Sequence, residues 1–90
     1  MAWTIKFHAK AFAELQKLDR LMHKRILQFI ENKLAISSNP KKLGLPLKGK
    51  LAGLYKYRLG NYRLICSIEH KIAIIVVLYL GHRKDVYKKA

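Results

Sequence analysis

The chain holds a single cysteine, Cys66, in 90 residues, so no disulfide can form within it and a domain this small has to be held by its apolar core. Flanked by Leu64, Ile65 and Ile68, that thiol reads as a small buried hydrophobe rather than a reactive group. Acidic residues are as scarce: 5 Asp and Glu stand against 19 Lys and Arg. Glu14, Asp19, Glu31, Glu69 and Asp85 are scattered, and neither the histidines nor Cys66 fall at metal-ligand spacing, so no metal or other cofactor is implied. Ser37, Ser38 and Ser67 sit in no nucleophile-elbow motif, which leaves a hydrolytic triad without support. The longest uncharged apolar run, Ile72 to Leu80, has nine residues, whereas a membrane-crossing helix needs ~20. Lys6, Lys10 and Glu14 interrupt the first fifteen residues and argue against a secretory signal. The expectation is a cytoplasmic protein without a membrane partner.

What the chain does have is positive charge, a net +14, which calls for an anionic partner. Residues 1–40 carry 7 basic and 3 acidic residues, and residues 41–90 carry 12 and 2. The anion should therefore meet mainly the second half. No linker-like stretch, repeat or low-complexity tract divides the chain, so residues 1–90 are expected to form one domain.

Trp3, Ile5 and Phe7 alternate with polar neighbours as a half-buried strand does. The period then becomes helical through Ala11, Phe12, Leu15 and Leu18, and resumes through Met22, Ile26, Phe29, Ile30 and Leu34 after a break at Asp19, a residue suited to cap the second helix. Ser37-Ser-Asn-Pro40 ends that helix, and Leu43 to Gly53 reads as a loop punctuated by glycines. Three strands follow, Leu54–Leu59, Tyr62–Glu69 and Ile72–Leu80, joined by tight turns, after which Gly81 is expected to turn the chain sharply. The class is α+β in the order βααβββ, an antiparallel sheet with a helical hairpin packed on one face.

One feature of the sheet bears on function. Gly60-Asn61 is a two-residue turn signal. Closing the hairpin there sets Leu59 opposite Tyr62 and Arg58 opposite Arg63, with Lys56 on the same face two residues earlier. Like charges directly opposite destabilise a sheet on the scale of the ~0.2–1 kcal/mol that cross-strand pairs contribute. Three cations gathered at that cost point to a polyanion. Tyr55, Tyr57 and Tyr62 alternate to the other face and suit core packing or the sheet edge. Taken singly, Lys56, Arg58, Arg83 and Tyr87 would be ordinary surface or packing residues; their joint placement raises them.

The element order, with Leu54-Tyr-Lys-Tyr-Arg-Leu, Gly60-Asn-Tyr-Arg-Leu-Ile and Leu80-Gly-His-Arg-Lys-Asp-Val-Tyr87, resembles the RelE branch of the RelE/ParE toxin superfamily. The resemblance spans essentially the whole chain. It implies the toxin of a type II toxin–antitoxin system, a metal-independent endoribonuclease that cuts messenger RNA, typically on the ribosome, and is held inactive by an acidic RelB-like antitoxin. It also implies site residues: Lys56 and Arg58 match the family's basic pair, Arg63 its central arginine, Arg83 the arginine after the last strand and Tyr87 its C-terminal aromatic.

Some members have lysine at both positions of the pair, whereas Arg58 does not readily lose a proton. Lys56 is then the candidate general base, with Arg58, Arg63 and Arg83 as phosphate donors and Tyr87 stacking on a base or giving a proton. His82 stands beside Arg83 as a second candidate base. Lys41, Lys42, Lys48 and Lys50 offer a further line of RNA phosphate contacts, or simply solubilise a loop. Two other functions remain open on sequence: a gyrase-inhibiting toxin of the ParE branch without nuclease activity, and a non-catalytic RNA- or ribosome-binding protein.

Overall fold

In the computed structural model, which describes residues 2–90, the first strand β1 (Thr4–Phe7) exposes Thr4 and Lys6 and half-buries Ile5 and Phe7. The helical hairpin follows. Helix α1 (Ala9–Lys17) starts where His8 Nδ1 accepts a hydrogen bond from the Lys10 amide at 3.2 Å, and α2 (Arg20–Phe29) starts where the Asp19 carboxylate accepts from the Met22 amide at 3.4 Å. Each side chain satisfies one of the amides that a helix start leaves unpaired. Beyond Phe29 the helix widens into a π-turn, Ile30–Leu34, closed by a 2.8 Å bond from the Ala35 amide to the Ile30 carbonyl.

The segment read as a loop contains a short strand, β2 (Leu45–Pro46), between two single turns of 3₁₀ helix. β3 (Tyr55–Leu59), β4 (Tyr62–Glu69) and β5 (Ile74–His82) form the meander, and a four-residue helix α3 (Val86–Lys89) ends the chain. The five strands lie in the order β1-β5-β4-β3-β2. Every pairing is antiparallel except one: β1 runs parallel to β5, with Thr4 opposite Ile74 and Phe7 opposite Val77. The chain between them supplies the long crossover that a parallel pair requires, so the sheet is mixed rather than wholly antiparallel.

The last strand departs from expectation at both ends. Ala73 adopts a left-handed φ of 52° within the turn after β4, which leaves Ile72 exposed and starts β5 at Ile74. At the other end Gly81 does not turn the chain; it stays in the strand opposite Arg63, and the reversal comes at residues 83–85. Leu78 is an extra residue in β5, since Ile65 pairs with Tyr79 and the next residue, Cys66, with Val77. Such a bulge lets Val77 and Leu80, three positions apart, both serve the buried face.

That face carries the core. Ala11, Leu15, Ile26, Ile30 and Leu34 of the helical layer close over Tyr57, Leu59, Leu64, Cys66, Ile75, Val77 and Leu80. Fully burying side chains of this size stabilises by roughly 1.5–3 kcal/mol each relative to exposure. Trp3 joins them and anchors the end of the helical layer by donating its indole N–H to the Ser37 carbonyl at 2.9 Å. Phe12 is the exception to the helical pattern, since it is about half exposed and rests edge-on against Phe7. Cys66 is fully buried, and burial pushes its thiol up to about 12; it is an inert packing residue. No helix among the described residues is long and apolar enough to cross a membrane.

Candidate functional site

The face of the sheet away from the helical hairpin holds the cations. Gly60, at a left-handed φ of 59°, and Asn61 close the β3–β4 turn, so Leu59 pairs with Tyr62 and Arg58 with Arg63. Lys56 pairs with Ile65 on that same face. How the sheet tolerates opposed arginines is visible in the Arg63 side chain: one terminal nitrogen donates to the Gly60 and Tyr62 carbonyls, each at 2.9 Å. The turn's own carbonyls thus offset part of the repulsion and hold the guanidinium in place. Of its five N–H groups, those on the other two nitrogens stay available to an anion.

Lys56, Arg58 and Arg63 form one wall of a recess of about 390 Å³ whose other wall is Lys42, Leu43, Gly44 and Leu45. That second wall comes from the segment expected to be a plain loop, and it is firmly placed. The buried Tyr57 hydroxyl donates to the Pro40 carbonyl at 2.7 Å, and β2 pairs Leu45 with Lys56. Gly44 then passes so close to β3 that a Cβ there would lie 2.6 Å from the Lys56 carbonyl oxygen and 2.8 Å from the Tyr57 ring. Only glycine fits. Leu43 and Leu45, 46% and 62% exposed, consequently set apolar surface beside the three cations.

The C-terminal turn brings α3 to this face. Val86 is fully buried and packs over Gly81, where a Cβ would lie in ordinary contact, 3.7 Å from both its Cα and Cβ. The next residue, Tyr87, is 43% exposed, and its ring lies under the Lys56 ammonium at 5.9 Å from nitrogen to centroid, a cation–π arrangement. Arg83 is exposed at the hairpin end, where its backbone N–H donates to the Asn61 carbonyl at 2.7 Å.

Not every candidate converges. His82 pairs with Tyr62 on the opposite face, its ring packed edge-on against the Tyr62 ring at 5.7 Å and its Nδ1 accepting from the Lys84 amide at 3.2 Å. The strand pleat that keeps Gly81 beside Arg63 turns His82 away from it. Of the loop lysines, Lys42 lines the recess, Lys41 sits over the Tyr55 ring at 5.6 Å, and Lys48 and Lys50 are exposed near the 3₁₀ turn at Gly49–Leu51. Gly44, Leu43 and Leu45 were not legible as site residues, because a two-residue strand leaves no periodic signal. Larger concavities run along α2, lined by residues such as Arg20, Lys24, Leu27 and Gln28, but they gather no opposed cations. Among the described residues no three His, Cys, Asp or Glu come together as metal donors.

A mixed sheet under a helical hairpin is the fold of a known class of toxins. Residues 5–87 match the family described as the ParE toxin of type II toxin–antitoxin systems, parDE, and the chain belongs to this RelE/ParE superfamily. Within it, the likeness runs to RelE-type members. The Mycobacterium tuberculosis protein Toxin RelG is 33% identical over 89 residues, which span 99% of this chain and 100% of that protein. The toxin–antitoxin complex RelBE2 of the same organism superposes with a TM-score of 0.83 at 30% identity, covering 94% of this chain and 95% of the other. An archaeal RelE–RelB complex from Pyrococcus horikoshii gives a TM-score of 0.72 at 32% identity, covering 92% and 97%.

Proposed function

We propose that this RelE-type toxin is a metal-independent endoribonuclease that cuts messenger RNA, on the ribosome and in the cytoplasm, and that an acidic antitoxin of the RelB kind neutralises it. The observation that carries the reading is the recess itself. Arg58 and Arg63 are opposed on paired strands, and Lys56 lies two residues from Arg58 on the same face. Lys42 lines the other wall, and no carboxylate is among the residues described along the cavity. A pocket that concentrates like charge in this way favours a bound phosphate over any neutral or cationic ligand.

Cleavage of this type needs a base for the ribose 2′-hydroxyl, donors for the charge that builds on the phosphorane, and a proton for the departing 5′-oxygen. In our assignment Lys56 takes the 2′-hydroxyl proton as the oxygen attacks phosphorus. The P–O5′ bond breaks, leaving a 2′,3′-cyclic phosphate and a 5′-hydroxyl. Arg58 and the unengaged edge of Arg63 hold the phosphorane oxygens, and Arg83 approaches from the hairpin end. Tyr87, already against Lys56, stacks on a neighbouring base or supplies the proton to O5′. His82 has no part, since its ring lies on the far face of the sheet.

Primer extension on messenger RNA with purified ribosomes tests the function, and single-turnover cleavage tests the base. Lys56→Arg keeps the charge and loses the titratable amine, so activity should fall nearly as far as in Lys56→Ala. Near-wild-type cleavage by Lys56→Arg overturns the lysine base. The matched family's description names ParE toxins, which makes gyrase inhibition the second reading: DNA damage that depends on gyrase, without new ends in messenger RNA, would establish it in place of the first. Binding of ribosomes with neither effect would mark a non-catalytic protein. The antitoxin is tested by mixing with the acidic product of a neighbouring reading frame, and complete lack of affinity would count against the toxin–antitoxin pairing.

A further inference from the structure

Helix α3 has four residues, too few to persist as a helix by its own hydrogen bonds, so its position is set by what its side chains meet. Val86 meets the sheet over Gly81. On the other side of the same turn, Lys89 Nζ reaches across to α1, where it lies 2.9 Å from Glu14 Oε2, and Lys17 Nζ lies 3.7 Å from Glu14 Oε1. Glu14 is the one acidic residue lining the recess between α1, the end of β5 and α3, where it is faced by Lys10, Lys17 and Lys89, with Tyr79 also on the lining. The Lys89 bond, more than the nearby Lys17 charge, holds its carboxyl below the ordinary carboxylate range. Lys89 and Tyr87 are two residues apart and project about 200° apart around a helix. A single turn can therefore be pinned through Lys89 while it presents Tyr87 to the opposite side, where the ring meets Lys56.

We propose that Glu14 is a positioning residue for the basic recess: its ion pair with Lys89 fixes the terminal turn that sets the Tyr87 ring against the Lys56 ammonium. Glu14 touches neither Lys56 nor the basic recess lined by Lys56, Arg58 and Arg63, and acts only through α3. The consequence for cleavage rests on the nuclease reading above; the placement of Tyr87 does not.

The test uses the full chain and reads the Lys56 ε-methylene proton resonance, which the face of the Tyr87 ring shifts upfield. Tyr87→Leu supplies the value without the ring. Glu14→Lys, which repels Lys89, should move the resonance most of the way to that value at temperatures well below unfolding. The exchanged pair Glu14→Lys with Lys89→Glu should bring it back, and Glu14→Gln should give a smaller displacement in the same direction if the lysine variant does not fold. Single-turnover RNA cleavage should fall about two- to five-fold in Glu14→Lys, the scale of a partly exposed ion pair, and recover in the exchanged pair. A merely structural role would lower the unfolding temperature without moving the resonance, and that result overturns the proposal. So does a wild-type Lys56 resonance equal to that of Tyr87→Leu, or an exchanged pair that restores nothing. If the wild type cuts no RNA, the nuclease reading fails while the resonance still decides the role of Glu14.

Discussion

The two faces of the β3–β4–β5 sheet are built on different terms. Under the helical hairpin, Tyr57, Leu59, Leu64 and Cys66 are buried among apolar neighbours, and the face is held by area removed from water. On the other side Lys56, Arg58 and Arg63 are exposed or partly exposed, with like charges opposed, and the short segments at Lys42–Leu45 and Val86–Lys89 come near. Alternate residues of one strand thus belong to a stabilising face and to a face that costs stability. The second face can exist because the first is complete, and what offsets its like charges is the burial of Ile65 and Val86 beside them, the backbone carbonyls at the turn and an aromatic ring.

Neighbouring residues of β4 test that division most directly. Leu64→Ala empties a fully buried site on the helix side and should cost about 2–5 kcal/mol of unfolding free energy, measured by denaturant titration. If it were near neutral, the helix-side core would not be what holds the sheet. Arg63→Ala, one residue along and on the other face, should barely change stability yet lower single-turnover cleavage by roughly 10²–10³-fold, the effect of losing one donor to a developing oxyanion. Equal losses of stability in the two variants would erase the distinction between the faces.

A smaller effect is expected where the faces meet. At Gly44 the backbone is extended, so the obstacle to Ala is contact alone: the new methyl would press on the Lys56 carbonyl and the Tyr57 ring. Gly44→Ala should cost about 1–3 kcal/mol and, by pushing β2 outward, weaken phosphate-analogue binding in the recess, which calorimetry can follow. Unchanged stability would mean that the Pro40–Pro46 segment is not clamped as described.

The smallest expected effect is one of pH. Glu14 titrates below its ordinary value of 4.5, chiefly through Lys89. A carboxyl lowered on folding contributes its stability fully above its unfolded pKa and loses it as pH falls through the folded one. The unfolding-temperature difference between wild type and Glu14→Gln should therefore be constant near neutrality and vanish below that range. Its size should stay within the ~1 kcal/mol or less of an exposed pair. A difference that grew as the pH fell would contradict the sign.

Several features were legible in the residue pattern because they depend on local or periodic rules. The 3.6-residue recurrence of Ala11, Leu15, Ile26, Ile30 and Leu34 marked the buried helical face, and Asp19 marked a cap that the structure bears out. Gly60-Asn61 set the register of β3 on β4, and from that register alone followed the Arg58–Arg63 opposition. A two-residue turn leaves no freedom in which residues pair, so chemistry thirty residues before the chain's end could be read from the sequence by itself.

Tertiary structure alone decided what joins those cations. Nothing local distinguishes Leu43–Pro46 from a loop, and β2 exists only because β3 offers an open edge and Gly44 lacks a side chain to keep it away. Gly81 is a second case: read as a turn, it is a strand residue opposite Arg63, and the fully buried Val86 of α3 packs over it. The parallel partner of β1, the turning of His82 to the far face and the reach of Lys89 to Glu14 likewise join residues far apart in sequence or depend on which strand lies alongside. Periodicity and turn chemistry act over a few residues and are written in the order of the chain, whereas close approach, pleat and long-range pairing depend on where the packed core leaves room.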